Sequence, residues 1–128
     1  MRTPRALALA AIGIVVAASR LSAHHDWPVD RTNQITLQGT VTALTWANPH
    51  VTIAIEVQSG GTVEKWILGG SSPKVMTDGG WDKATLKPGD VITGIGYRFR
   101  NGSNVALLQK VVLADGRELY YGRRPQKD

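Results

Sequence analysis

Apolar and polar residues alternate over a long stretch of this chain, and one tight turn interrupts the alternation. The apolar positions are Ile35, Leu37, Gly39, Val41 and Ala43 before the turn and Val51, Ile53, Ile55 and Val57 after it. A period of two places such residues on one face of a strand. The turn, Asn48-Pro49, combines a residue that favours turns with one whose φ is fixed. The sequence therefore predicts two half-buried strands that meet at this corner.

Further short segments with the same period follow the corner. A Ser-Gly-Gly loop precedes a third strand over 62–68, Ser72-Pro73 starts a short helix over 72–77, and two more strands begin at positions 91 and 105. A single sheet of short amphipathic strands buries its apolar face only by closing on itself. This order predicts an all-β fold with one short helix, a five-stranded OB-type small barrel. An open, flattened sheet with one helix is the main alternative.

The start of the chain has the pattern of an N-terminal signal peptide over residues 1–23. Two arginines precede an apolar run over 6–18, and small residues lead up to Ala23. The run is shorter than the roughly 20 residues that span a bilayer. We expect a periplasmic or secreted protein cleaved after Ala23. An uncleaved anchor helix and cleavage after Ala18 or Ser19 are the alternatives.

Beyond the signal, the sequence indicates an extended lead-in over 24–34, an OB-like domain over 35–121 and a mobile tail over 122–128. The chain has no Cys, so the exported domain depends on its core alone. Without the signal it has 12 basic and 10 acidic residues, a formal charge of +2. Such a surface does not favour nucleic-acid binding. The serines near the helix and the aspartates in turns fit capping roles, so no enzyme is predicted.

The three histidines suggest a metal site. Cleavage after Ala23 makes His24 the first residue, and its α-amine and ring nitrogen can then chelate one ion. An imidazole from His50 or His25 completes a nitrogen set that suits Cu(II), and Asp26 can add an oxygen. We therefore expect binding of Cu(II) or another divalent metal. The alternatives are that His50 hydrogen-bonds within its turn and that His24 and His25 form a solvated end.

A second hypothesis is a metal-free interaction module for an unknown envelope protein or a small ligand. Its binding residues lie at the corner and at the hairpin between the last two strands: Trp46, Asn48, Arg98, Phe99 and Arg100. Aromatic residues beside loops are typical of binding surfaces. No nucleic-acid partner and no stable membrane insertion after signal cleavage are expected.

Several motifs together resemble a known bacterial family of small exported proteins. They are Ala23-His24-His25, Gly39-Thr40-Val41, Trp46-Ala47-Asn48-Pro49-His50, Gly79-Gly80-Trp81, Leu86-Lys87-Pro88-Gly89-Asp90 and Asp115-Gly116-Arg117. The family is catalogued as a domain of unknown function. The resemblance covers nearly the whole chain and implies an exported single-domain β-barrel, but it supplies no activity. The family often has Ser after its His pair, where this chain has Asp26.

Overall fold

The computed structural model describes residues 26–122 and 126, so the predicted signal peptide, His24, His25 and most of the predicted tail lie outside the described residues. The elements in chain order are β1 (Val29–Thr45), β2 (Thr52–Ser59), β3 (Thr62–Gly69), α1 (Pro73–Asp78), β4 (Val91–Phe99), β5 (Val105–Leu113) and β6 (Glu118–Tyr120). No helix among the described residues is both long and apolar enough to cross a membrane.

The strands form a ring-like sheet. β1 pairs antiparallel with β2 along its second half and with β4 along its first half. β2 pairs with β3 and β4 pairs with β5, and a parallel pairing of β3 with β5 closes the ring. This arrangement confirms the predicted all-β fold with one short helix and OB-type strand order. β6 pairs with the second half of β5, beyond the part that pairs with β3.

β1 is longer than the sequence predicted. It begins at Val29, so most of the predicted lead-in over 24–34 belongs to this strand, with an irregular pairing between Val29 and Gln34. A second irregularity lies between Val41 and Ala43. Because one extra residue reverses which side chains face inward, Leu44 rather than Ala43 packs against the core.

The barrel interior holds the apolar faces that the alternation predicted. Val51, Ile53 and Ile55 of the second run are at most 1% exposed. On β3, Trp66 and Leu68 are buried, while the intervening side chains face outward. Gly39 is required at the bend of β1, because a β-carbon there would lie 2.7 Å from the Glu56 carbonyl oxygen.

Helix α1 lies between β3 and β4 in the chain and packs its single buried residue, Met76, into the core. The Ser72 hydroxyl accepts a hydrogen bond from the Val75 backbone N–H at 3.4 Å, as the predicted cap requires. Trp81 follows the helix, is 1% exposed, and donates its indole N–H to the Tyr120 carbonyl at 2.8 Å. This bond attaches the end of β6 to the core.

Replacing Gly96 by Ala tests how tightly β4 and β5 meet at their bulge. A β-carbon at Gly96 would overlap the backbone carbonyl of Leu107, which cannot rotate away. We expect Gly96→Ala to lower the free energy of unfolding by about 1–3 kcal/mol, the usual effect of overpacking. Equilibrium urea denaturation measures the change.

The matched control is Gly122→Ala. Among the described residues, a β-carbon at Gly122 would meet only Val75 Cγ1, at an ordinary 3.6 Å. The control should change the free energy of unfolding by less than about 0.5 kcal/mol. Equal losses in the two variants would contradict the close approach of β4 and β5.

Candidate functional site

Four strand ends converge at one end of the ring. The start of β2 pairs with the end of β3 through Thr52 and Gly69, and Gly69 pairs with Leu107 near the start of β5. Beside it, Arg98 at the end of β4 pairs with Ala106 of β5. We call this region the strand-end corner and define it by Trp27, His50, Gly69 and Phe99. It is formed by segments far apart in sequence.

The ring of Trp27 covers the strand-end corner. Its centroid lies 4.6 Å from that of His50, with the planes tilted by 58°, and 5.7 Å from that of Phe99, edge to face. The indole also lies beside Gly69, where a β-carbon would meet its Cη2 atom at an ordinary contact distance of 3.4 Å. Aromatic pairs at such distances contribute beyond their buried area.

Backbone bonds fix the segment that carries Trp27. The Val29 N–H donates to the Trp27 carbonyl at 2.7 Å, and the Arg100 N–H donates to the Pro28 carbonyl at 2.8 Å. Val29 itself is fully buried. The indole is therefore held over His50 by its own chain as well as by ring contacts.

His50 lies just before β2 and does not belong to the buried core cluster. The next residue, Val51, is fully buried and bonds through its backbone to Gly70 and Ser71. The imidazole is half-buried, and its Nδ1 atom is enclosed. No hydrogen-bond partner for Nδ1 exists among residues 26–122 and 126. An enclosed polar nitrogen without a partner is costly, so it marks a place where a donor or an ion is expected.

The remaining predicted metal ligands are less fully described. Asp26 is exposed, one residue before Trp27. His24 and His25 lie outside the described residues. Within the described part of the chain, no group of three or more His, Cys, Asp or Glu side chains is arranged to hold a metal ion. Of the predicted ligands, the described part of the chain thus contains only His50 and Asp26.

The predicted interaction residues have different surroundings. Asn48 and Arg100 are exposed, while Trp46 is half-buried against the main core. Phe99 is half-buried and contacts Trp27. A shallow cleft of about 360 Å³ lies beside Phe99 and Arg100, with Asp30 on its wall. Hydrogen bonds from the Thr32 hydroxyl and backbone N–H hold the pKa of Asp30 below its usual value, and the charge of Arg100 adds to this effect.

Arg98 is occupied within the fold. Its Nε donates to the Ser103 carbonyl at 3.0 Å, and one terminal nitrogen donates to the Gly102 carbonyl at 2.7 Å and to Asn104 Oδ1 at 3.0 Å. The guanidinium carbon also lies 5.0 Å from the centre of the Trp66 ring. Its fixed geometry holds the loop between β4 and β5 against the barrel.

Sequence reasoning did not assign Trp27 to the site. Its only local signal is a Trp-Pro pair before an alternating segment, which says nothing about its partner. The contact with His50 depends on ring closure, which brings position 27 beside positions 50, 69 and 99.

Arg98→Lys tests the role of the guanidinium in the loop. A lysine ammonium cannot reproduce the planar fork that reaches three acceptors. We expect the free energy of unfolding to fall by about 1–2 kcal/mol, since at least one hydrogen bond is lost. Arg100→Lys, at an exposed site, should change it by less than about 0.5 kcal/mol. Thermal and urea denaturation compare the two variants, and indistinguishable losses would refute a structural role for Arg98.

The chain was also compared with known proteins. No curated protein matches it. The model of the Family of unknown function (DUF6152) matches residues 11–109, from within the apolar N-terminal run to Gln109 in β5. This match confirms the resemblance drawn from the sequence motifs. Since it spans well over half of the sequence, the chain belongs to this family of unknown function.

Proposed function

We propose that the protein is an exported small binding protein that holds Cu(II), or another divalent metal, through its N-terminal histidines and His50. The observation that carries this proposal is the contact of Trp27 with His50, whose enclosed Nδ1 has no partner in the described part of the chain. The contact holds Trp27 beside the third histidine, His50. Trp27 follows the pair His24-His25 after one intervening residue.

Covalent geometry limits how far the pair can be from His50. A chain advances at most about 3.3–3.6 Å per residue, so the Cα atom of His25 lies within about 7 Å of that of Trp27, and that of His24 within about 11 Å. Because the Trp27 and His50 rings are in contact, the length of the intervening chain is compatible with an ion shared by His50 and the histidine pair.

The donor set favours copper. With the signal removed after Ala23, the α-amine and imidazole of His24 form a chelate, and His50 supplies a third nitrogen. His25 and the exposed carboxylate of Asp26 are the remaining donors. Nitrogen donors in a planar arrangement suit Cu(II), whereas structural zinc sites usually have four Cys or His ligands.

The second candidate function is metal-free binding of an envelope protein or a small ligand. The binding surface would comprise the Asn48-Pro49 turn and the hairpin between β4 and β5. It is supported by the 360 Å³ cleft and by the exposure of Asn48 and Arg100. Trp46 and Phe99 would supply aromatic contact area beside these residues. This function needs no histidine, so histidine variants distinguish it from metal binding.

Copper titration of the correctly processed protein tests the main proposal. We expect one Cu(II) per chain, with an electron paramagnetic resonance signal from nitrogen ligands. His50→Ala should weaken binding by at least about tenfold, since loss of an outer-shell partner alone has that effect. Affinity should decrease as the pH falls below neutrality, because ligating imidazoles and the amine must be deprotonated.

Two controls separate a defined site from nonspecific chelation. Asp26→Asn should weaken binding less than His50→Ala. One extra Gly before His24 leaves the barrel unchanged but removes the terminal chelate, so it should also weaken binding. If His50→Ala binds copper as tightly as the parent, the shared site is wrong, and the paired histidines act only as a chelating end.

Export and processing require their own measurement. We expect intact-mass analysis of the protein recovered from the cell envelope or the medium to give a chain lacking residues 1–23. A mass that retains the apolar run over 6–18 would indicate an anchored protein and would remove the terminal amine from the proposed ligand set.

A further inference from the structure

A second cleft, of about 720 Å³, lies where the start of β1, the ends of β4 and β6, and the middle of β5 meet. Its base includes the apolar side chains of Ile95 and Leu107, and three tyrosines contribute to its walls: Tyr97, Tyr120 and Tyr121. Its volume is in the range of small-molecule sites. None of its lining residues belongs to the strand-end corner.

The wall formed by Tyr120 and Tyr121 is fixed by the fold. The indole of Trp81 donates to the Tyr120 carbonyl at 2.8 Å, and the Tyr121 N–H donates to the Gln109 carbonyl at 2.8 Å. The first bond comes from a residue that is 1% exposed. The cleft is therefore a preformed feature of the barrel surface, which lowers the cost of binding.

A chain of hydrogen bonds crosses the cleft. Gln34 donates its amide N–H to Gln109 Oε1, and Gln109 donates in turn to the Tyr97 hydroxyl oxygen at 3.0 Å. Tyr97 keeps its hydroxyl hydrogen as a donor, and Gln34 keeps its amide oxygen as an acceptor. Within the described residues neither group has another assigned partner. The cleft thus offers one donor and one acceptor on neighbouring, paired strands.

The charges around the cleft favour an anion. Lys110 is paired with Glu118 Oε1 at 2.8 Å, and the Tyr120 hydroxyl donates to Glu118 Oε2 at 2.6 Å. This pairing raises the pKa of Lys110 and neutralises its charge locally. Arg31, also on the wall, is exposed and forms no ion pair with the described residues.

We propose that this cleft binds a sugar acid, a pyranose-sized ring with hydroxyl groups and one carboxylate. Hydroxyl groups both donate and accept, which matches the pair offered by Tyr97 and Gln34. The apolar C–H face of a sugar ring packs on the tyrosines and Ile95, and the carboxylate pairs with Arg31. Free sugar acids and the units of an acidic polysaccharide share this chemistry.

Glucuronate is the probe, titrated into the processed, metal-free protein while amide NMR shifts are followed. Shifts should map to β1, β4 and β6 around the cleft. Arg31→Gln should weaken binding about two- to fivefold, the range of an exposed ion pair. Tyr97→Phe keeps the ring and should weaken binding about two- to tenfold, the effect of one hydrogen bond. Lys83→Gln removes the same charge at an exposed position outside the cleft and should have no effect.

Three comparison ligands distinguish recognition of a whole sugar acid from binding through its hydroxyl groups alone or its carboxylate alone. Glucose, which lacks the carboxylate, should bind more weakly than glucuronate and be insensitive to Arg31→Gln. Benzoate, which lacks the hydroxyls, should be insensitive to Tyr97→Phe. An oligogalacturonate that binds more tightly than its monomer points to a polysaccharide source, and equal affinity points to a free sugar acid; both support the proposal.

The proposal is overturned if glucuronate gives no saturable shifts or if its shifts map away from the cleft. It is also overturned if benzoate binds as tightly as glucuronate, or if Arg31→Gln and Lys83→Gln behave alike. These outcomes are independent of the copper titration, because His50→Ala leaves the cleft residues unchanged.

Discussion

The parallel pairing of β3 with β5 is the interaction on which the rest of the structure depends. Ile67, Leu68 and Gly69 pair with Val105, Ala106 and Leu107, and this short contact turns a meander and a hairpin into a ring. Once closed, the inner faces of all five strands share one core that no open sheet of this size could bury. The closed interior is narrow, so it limits the size of the side chains that can lie inside it. A β-carbon at Gly94 would lie 2.6 Å from Leu68 Cδ1, inside the space that the leucine fills.

The same closure creates the strand-end corner. Separate hairpins would leave the ends of β2 and β3 apart from those of β4 and β5, whereas the ring brings all four together. Trp27 then has His50 and Phe99 as ring neighbours, and Gly69 lies beside the indole.

The first part of β1 connects the two candidate binding regions. Val29 pairs with Phe99, which belongs to the strand-end corner. Gln34 pairs with Tyr97 in the cleft for which we propose a sugar acid as the ligand. The irregular pairing between them changes the direction of the strand locally. One strand segment thus positions an aromatic cover for His50 and a polar group for the cleft. The two regions nevertheless differ in the polar groups that they present. The strand-end corner presents an imidazole nitrogen, and the 720 Å³ cleft presents amide, phenol and guanidinium groups.

The strand faces, the position of the helix and the OB-type order could be predicted from the sequence, because period-two alternation and turn chemistry are local properties. It placed Ala43 inward, which was wrong, because the bulge that reverses the phase at Leu44 arises from the pairing with β2. It took residues 29–34 for a lead-in, because their partner strand is remote in sequence. Three features could not be predicted: Trp27 covers His50, Arg98 is occupied by its own loop, and Gln34, Tyr97 and Gln109 share a cleft. The first joins segments that ring closure brings together, and no local pattern encodes that closure. The other two depend on side-chain positions in the hairpin of β4 and β5 and on the pairing of β1 with β4, which the alternation alone does not specify.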